Sequence, residues 1–260
     1  YRSRGVGSSL FASPSSPVTV EAVRAYAAQA MNKSNLAIVS SGLSDATLRS
    51  LVSKHFENVP AGSALKAAPS KYYGGDCRAA MTDAHGHGLP VDHFFLAFEG
   101  ASRVNAAPLF VLESLLGGNS SVKWSAGLSP LSQITGAKAH AFNISLQDTG
   151  LLGIHVIAPS AKVSEAAKAA SQTLKAAADS VSSEDVARAV AKAKFLAAQD
   201  FEGTRALSHE TIATGLLDDS SASLDSVLDK FESIKAADVS SAAQTLLKSK
   251  PSSVALGDVK

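Results

Sequence analysis

The chain has 260 residues and a mass of 26.6 kDa, with 45% hydrophobic residues, 18% charged residues and a formal net charge of +1. That apolar fraction suffices for one large core or two smaller ones, and the composition is not the charge-rich signature of disorder. Without a basic stripe, nucleic acid is not expected as a partner, nor is electrostatic docking on a membrane. The longest apolar runs, Phe94–Phe98 and Leu151–Ala158, fall far short of the ~20 residues of a membrane helix, so no direct membrane span is expected. Cys77 is the single cysteine. It excludes an internal disulfide framework and cysteine-based zinc sites, and it favours a reducing compartment. Tyr1 opens the chain without a charged-then-apolar leader, so a targeting segment is expected to be absent or removed.

Residues 19 to 31 have helical spacing through Val20, Val23, Ala27 and Ala30, with Thr19 or Ser16 as cap. Leu36–Ser40 is a β-prone run ended by Gly42, and Ser44 starts a second helix carrying Leu48, Leu51, Val52 and Phe56. Pro60 to Ser70 is bracketed by prolines and free of periodicity, which makes it the best linker candidate. Strand-like runs follow at Arg78–Met81 and His93–Glu99, then a helix Ala106–Leu116 with Leu109, Leu112, Leu115 and Leu116 on one face. Gly117–Pro130 is a Gly/Ser-rich loop. Ala139–Leu146 and Leu151–Ala158 flank Gln147-Asp148-Thr149-Gly150 and form a predicted hairpin. The remainder is helical in pattern over Val163–Val181, Ser183–Phe201, Leu207–Leu217, Leu224–Ile234 and Ala237–Leu247, before a last strand Ser253–Leu256.

One internal echo links the two ends of the chain. The helix, polar loop and strand of AVRAYAAQAMNKSNLAIVSSG recur as DVSSAAQTLLKSKPSSVALGD, offset by roughly 215 residues. If it is a true repeat, the chain holds the end of one copy and all of another, and Leu36–Ser40 lacks most of its own sheet.

The chemistry-bearing residues form no recognisable catalytic set. Asp83, His85, His87, Asp92 and His93 are the densest group of metal-ligand types, but intervening glycines and Pro90 favour a flexible loop with solvated histidines. Neither H-E-x-x-H nor H-x-x-E-H occurs, which removes the main helical zinc-protease motifs. Asp148-Thr149-Gly150 matches the aspartic-protease triplet, yet a second copy and an apolar lead-in are absent, and a hairpin turn explains it. No G-x-S-x-G elbow is present, and Cys77 beside Arg78 has no histidine at a recognisable spacing. Gly5-Val6-Gly7 and Gly117-Gly118 are incomplete as phosphate loops. Trp124 is expected to pack rather than bind.

Several motifs together point further: Tyr73-Gly74-Gly75-Asp76 with Arg78, Phe98-Glu99-Gly100, Leu116-Gly117-Gly118, Phe142-Asn143, and Asp148-Thr149-Gly150-Leu151 with Gly153. In this combination and order they resemble the C-terminal half of a mitochondrial processing peptidase-like subunit, in the pitrilysin/insulinase-type zinc metallopeptidase superfamily. The resemblance implies an α+β fold: a metallopeptidase-like α/β sandwich domain, mostly antiparallel sheet with helices packed on one face, preceded by the tail of a homologous domain. It divides the chain into residues 1–60 as the C-terminal portion of a first peptidase-like domain, 61–70 as linker and 71–260 as the second domain.

The family's inverted zinc motif belongs to the first domain, ahead of Tyr1. Active members also have an Arg and a Tyr shortly after the glycine loop, whereas Leu131–His140 has neither, and every tyrosine lies at or before Tyr73. The resemblance therefore implies a catalytically inactive homologue, with no catalytic residue, no cofactor and no metal. Gly117, Gly118, Asn119, Ser120 and Ser121 form a candidate peptide-contact loop. The stretch Gly117–Leu131 lacks the G-P-G-K-type segment of the processing peptidase α subunit and resembles the core subunits of ubiquinol–cytochrome c reductase, respiratory complex III. The implied role is structural, with a homologous core protein 1-like subunit and other complex III subunits as partners, on the matrix face of the mitochondrial inner membrane. A homo-oligomer of this piece is the other assembly expected. The alternatives are a regulatory, substrate-recognising subunit of mitochondrial processing peptidase, and a peptide-binding module without cleavage.

Overall fold

A computed structural model describes residues 7–11, 15, 17–66, 68–80, 91–118, 127–203, 205–217 and 223–257. The first described elements are two short helices. Helix α1, Val20–Ala30, starts where the Thr19 hydroxyl accepts the Ala22 N–H at 3.2 Å. Helix α2, Asp45–His55, starts on Ser44, whose hydroxyl accepts the Thr47 N–H at 3.2 Å. Asp45 at its first turn and Lys54 and His55 at its last complement the helix dipole. Neither helix has a buried residue.

Between them, Leu36 is extended, and residues 36–40 form no strand and pair with none of the described ones. What organises this region is polar. Asn32, only 5% exposed, donates to Gln29 O at 2.8 Å and Ser63 O at 3.2 Å, and its Oδ1 accepts the Ser34 N–H at 2.9 Å. Lys33 N–H reaches Pro60 O at 3.0 Å, and Leu65 N–H reaches Asn35 Oδ1 at 2.8 Å. The start of the proline-bracketed segment is thus tied to the turn after α1.

The second part is built on a five-stranded sheet of order β1-β5-β2-β4-β3. Its strands are β1 Gly75–Ala80, β2 Val91–Glu99, β3 Lys138–Ser145, β4 Gly150–Pro159 and β5 Ser252–Gly257. Only β1 and β5 run parallel; the other neighbours are antiparallel. The predicted hairpin forms as β3 and β4, with His140 opposite His155 and Ser145 opposite Gly150. The run expected over Arg78–Met81 begins three residues earlier, at Gly75. Its end at Met81 lies outside the described residues, as do Asp83, His85 and His87.

Helices cover one face of this sheet. They are α3 Ala107–Leu116, α4 Ser160–Asp179, α5 Ser183–Gly203, α6 Arg205–Leu217, α7 Leu224–Glu232 and α8 Ala236–Lys248. Phe98, Ala139, Ala141, Leu152, Ile154 and Val156 point from the sheet into the core, where Leu112, Leu116, Leu174 and Val239 meet them. Alanines line the buried stripes of α4 and α8, Ala166, Ala170 and Ala177 on one and Ala243 on the other. Small side chains there let these two helices approach closely over the sheet. Helix α3 is the most apolar because it packs against β3, α5 and α8 together, burying Leu109, Val111, Leu112, Ser114 and Leu116.

Candidate functional site

The glycine loop leaves α3 through a tight corner. Gly117 and Gly118 have φ of +65° and +100°, backbone conformations that other residues rarely adopt. A Cβ on Gly118 would lie 1.9 Å from Ala139 O, and one on Gly117 would lie 2.3 Å from Ser129 Cβ. Gly117 O accepts the Ala141 N–H at 2.9 Å, and Gly118 N–H donates to Ser129 Oγ at 2.9 Å. The pair therefore ties the end of α3 to edge strand β3 and to the return of the loop. Asn119, Ser120 and Ser121 lie outside the described residues, as does Trp124.

Other flagged residues are placed as follows. Asp148, Thr149 and Gly150 make the β3–β4 turn, with Asp148 Oδ2 accepting the Ser70 N–H at 2.7 Å and Thr149 buried. Cys77 is exposed on edge strand β1. Gln133 is engaged with Gly127 O at 2.8 Å, and Lys138 stands exposed at the start of β3. Among the described residues no group of three or more His, Cys, Asp or Glu side chains could hold a metal ion.

Two groupings were not visible along the chain. On the face of the sheet away from the helices, His93, His155 and His140 come from three adjacent strands. His93 Nδ1 and His155 Nε2 lie 3.0 Å apart, His140 meets the His155 ring edge-on at 4.9 Å, and Phe95 stacks on it at 3.9 Å. Burial, and then the neighbouring His140 and His93, push His155 down to about 4. Burial also lowers His140.

The second grouping is a cavity of about 370 Å³ on the helix side, between α3, α5, α6 and α7. Glu113 of α3 lines it, and burial raises its carboxyl to about 7 despite the attraction of Lys192 and a hydrogen bond from the Asn143 backbone N–H. Sequence periodicity could not single out Glu113, which falls in an otherwise apolar helix. Its signal is only visible once α3 is seen to be enclosed.

A mostly antiparallel sheet with helices packed on one face and a glycine corner at the end of α3 define the frame of a peptidase-like α/β domain. The chain belongs to the family described as the peptidase M16 inactive domain, whose sequence profile matches residues 17–193. It is 37% identical over 264 residues to cytochrome b-c1 complex subunit 2, mitochondrial, of Cryptococcus neoformans, covering 98% of this chain and 58% of that protein. Against the same subunit of Neurospora crassa it is 38% identical over 269 residues, covering 98% and 57%. The chain thus spans a little under three fifths of the length of these relatives. A solved chain of complex III2 from Candida albicans, with Inz-5 bound, has the same fold, with a TM-score of 0.69 and 19% identity over 83% of this chain and 53% of that one.

Proposed function

We propose that this chain acts as a non-catalytic structural and assembly subunit, core protein 2, of the mitochondrial ubiquinol–cytochrome c reductase complex. The observation that carries the reading is likeness over 98% of the chain to subunit 2 of two fungal cytochrome b-c1 complexes. In support, no described helix is long and apolar enough to cross a membrane. That agrees with a peripheral subunit on the matrix face of the inner membrane, seated against a homologous core protein 1-like subunit.

The same reading makes residues 1–60 the closing part of a first peptidase-like domain, joined by 61–70 to the second. The internal echo supports this in three dimensions. Val23 of α1 corresponds to Val239 of α8, and Leu36–Ser40 corresponds to β5. Val239 is 0% exposed whereas Val23 is 54% exposed. β5 lies between two strands, but residues 36–40 pair with no described strand. The N-terminal unit has the form of its counterpart without the neighbours that would bury it.

Affinity purification of the tagged chain from mitochondria tests the proposal. Recovery with haem-bearing membrane subunits and a homologous core subunit is expected. Recovery with only a soluble zinc-bearing peptidase partner would overturn it in favour of a substrate-recognising role for the loop Gly117–Ser121.

A further inference from the structure

We propose that the cavity between α3, α5, α6 and α7 binds a small organic ammonium ion with an apolar body, with Glu113 as its counter-charge. This site is additional to the structural role, which needs no ligand. At about 370 Å³ the cavity has the size of a small-molecule site. Three phenylalanines, Phe110, Phe201 and Phe231, line it. Phe110 and Phe231 are 6.0 Å apart and tilted by 59°, so they present ring surface at an angle rather than a flat stack. Aromatic faces attract a cation, and their bodies accept its alkyl part.

The charged part of the wall carries both signs, two carboxylates and the cations Arg103 and Lys230. Glu113 and Asp200 both line the cavity. Behind Glu113, on β3, Asn143 Oδ1 is buried and has no hydrogen-bond partner. The Asn143 amide contacts Ser145 Oγ at 3.4 Å, and Ser145 is itself part of the lining. Asp200 and Lys230 are exposed and Arg103 has an interaction of its own, so Glu113 is the enclosed charge that a ligand in the cavity would meet.

The cations already nearby do not fill this place. Arg103 lines the cavity but has an interaction of its own, and Lys230 lies exposed on α7. Lys192 attracts Glu113, yet burial outweighs it and the carboxyl stays near neutrality in its titration. An ammonium brought into the cavity would meet the same carboxyl, whose partial burial weakens solvent screening.

Titration calorimetry on the whole chain with hexylammonium and hexan-1-ol distinguishes the alternatives. Hexylammonium should bind one site at least tenfold more tightly than the alcohol. Its affinity should rise about tenfold from pH 6 to pH 8, because binding requires Glu113 ionised and so releases its proton. Glu113→Gln keeps the size of the side chain and an acceptor for the Asn143 N–H. It should reduce hexylammonium binding to that of the alcohol and remove the pH dependence. If that variant fails to fold, Asp200→Asn at the more open side of the cavity should weaken the ammonium severalfold and leave the alcohol unchanged. Equal binding of amine and alcohol, or indifference to both substitutions, would overturn the proposal. Failure here leaves the complex-assembly reading untouched, since co-purification does not depend on this cavity.

Discussion

Glu113 inside α3 and Gly118 just beyond its end carry different kinds of constraint. At Gly118 the constraint is space: the Ala139 carbonyl occupies the position of any Cβ, and the φ of +100° is unfavourable to other residues. Gly118→Ala should therefore lower stability by about 1–3 kcal/mol in urea unfolding, by forcing β3 away from the end of α3. At Glu113 the constraint is solvation, and it acts together with His155. The half-buried carboxyl keeps its proton up to about 7, from 4.5, so its contribution to stability is present below 4.5 and lost as pH rises through 7. His155 has its native pKa lowered from 6.5 to about 4, so its contribution is present above 6.5 and lost as pH falls through 4. Between pH 4.5 and 6.5 the two slopes oppose each other. Unfolding free energy measured across that window should vary less with pH in the parent chain than in variants that lose either group, with the lowered His140 adding a smaller rise. It should fall with rising pH in His155→Gln and rise with pH in Glu113→Gln; parallel curves in all three would contradict these assignments.

At the scale of elements, α1 and α8 share a pattern but not an environment. Val239 lies on the buried side of α8 with no exposure, whereas Val23 is 54% exposed at the corresponding place on α1. Val239→Ala should cost about 1–3 kcal/mol, by loss of buried methyl groups and the space left behind. Val23→Ala in this chain should change stability by no more than about 0.5 kcal/mol. Chemical denaturation of the two variants side by side checks this. An equal loss at Val23 would mean that the N-terminal unit is already packed. The helices themselves were legible from sequence because their signals are local: Thr19 and Ser44 as caps, and apolar residues three and four apart in α4 and α8. The run Leu36–Ser40 was legible as a strand former, but forming a strand takes a partner, which no local signal supplies.

For the whole molecule, the buried hydrophobic core runs from Ala97 to Leu246. None of it comes from α1 or α2. Cleavage within residues 60–70 should consequently release a C-terminal piece from about residue 71 onward that keeps the cooperative unfolding transition of the whole chain. Limited proteolysis followed by thermal unfolding of the purified piece measures it. A piece that unfolds gradually would show that the N-terminal unit contributes to the core.

Sequence alone determined the hairpin β3–β4, the glycine-rich loop after α3 and the lack of a helical zinc motif, because each depends on residues close together in the chain; the fold class followed from the family resemblance, and the tight corner at Gly117 and Gly118 only from the structure. Family membership was also legible, through motifs spread over residues 73–153 whose order and spacing are specific in combination. Only the tertiary structure placed β5 between β1 and β2, since the partner of a strand over 150 residues away is chosen by packing of the helix layer, not by the strand's own composition. The same holds for the three histidines, which are separated along the chain and meet because neighbouring strands align them across the sheet. Glu113 is the clearest case. Its residue type and position suggest a solvated carboxylate, and enclosure by α5 and β3 raises its titration to about 7. Burial is a property of the assembled fold, and it decides what that carboxyl can do.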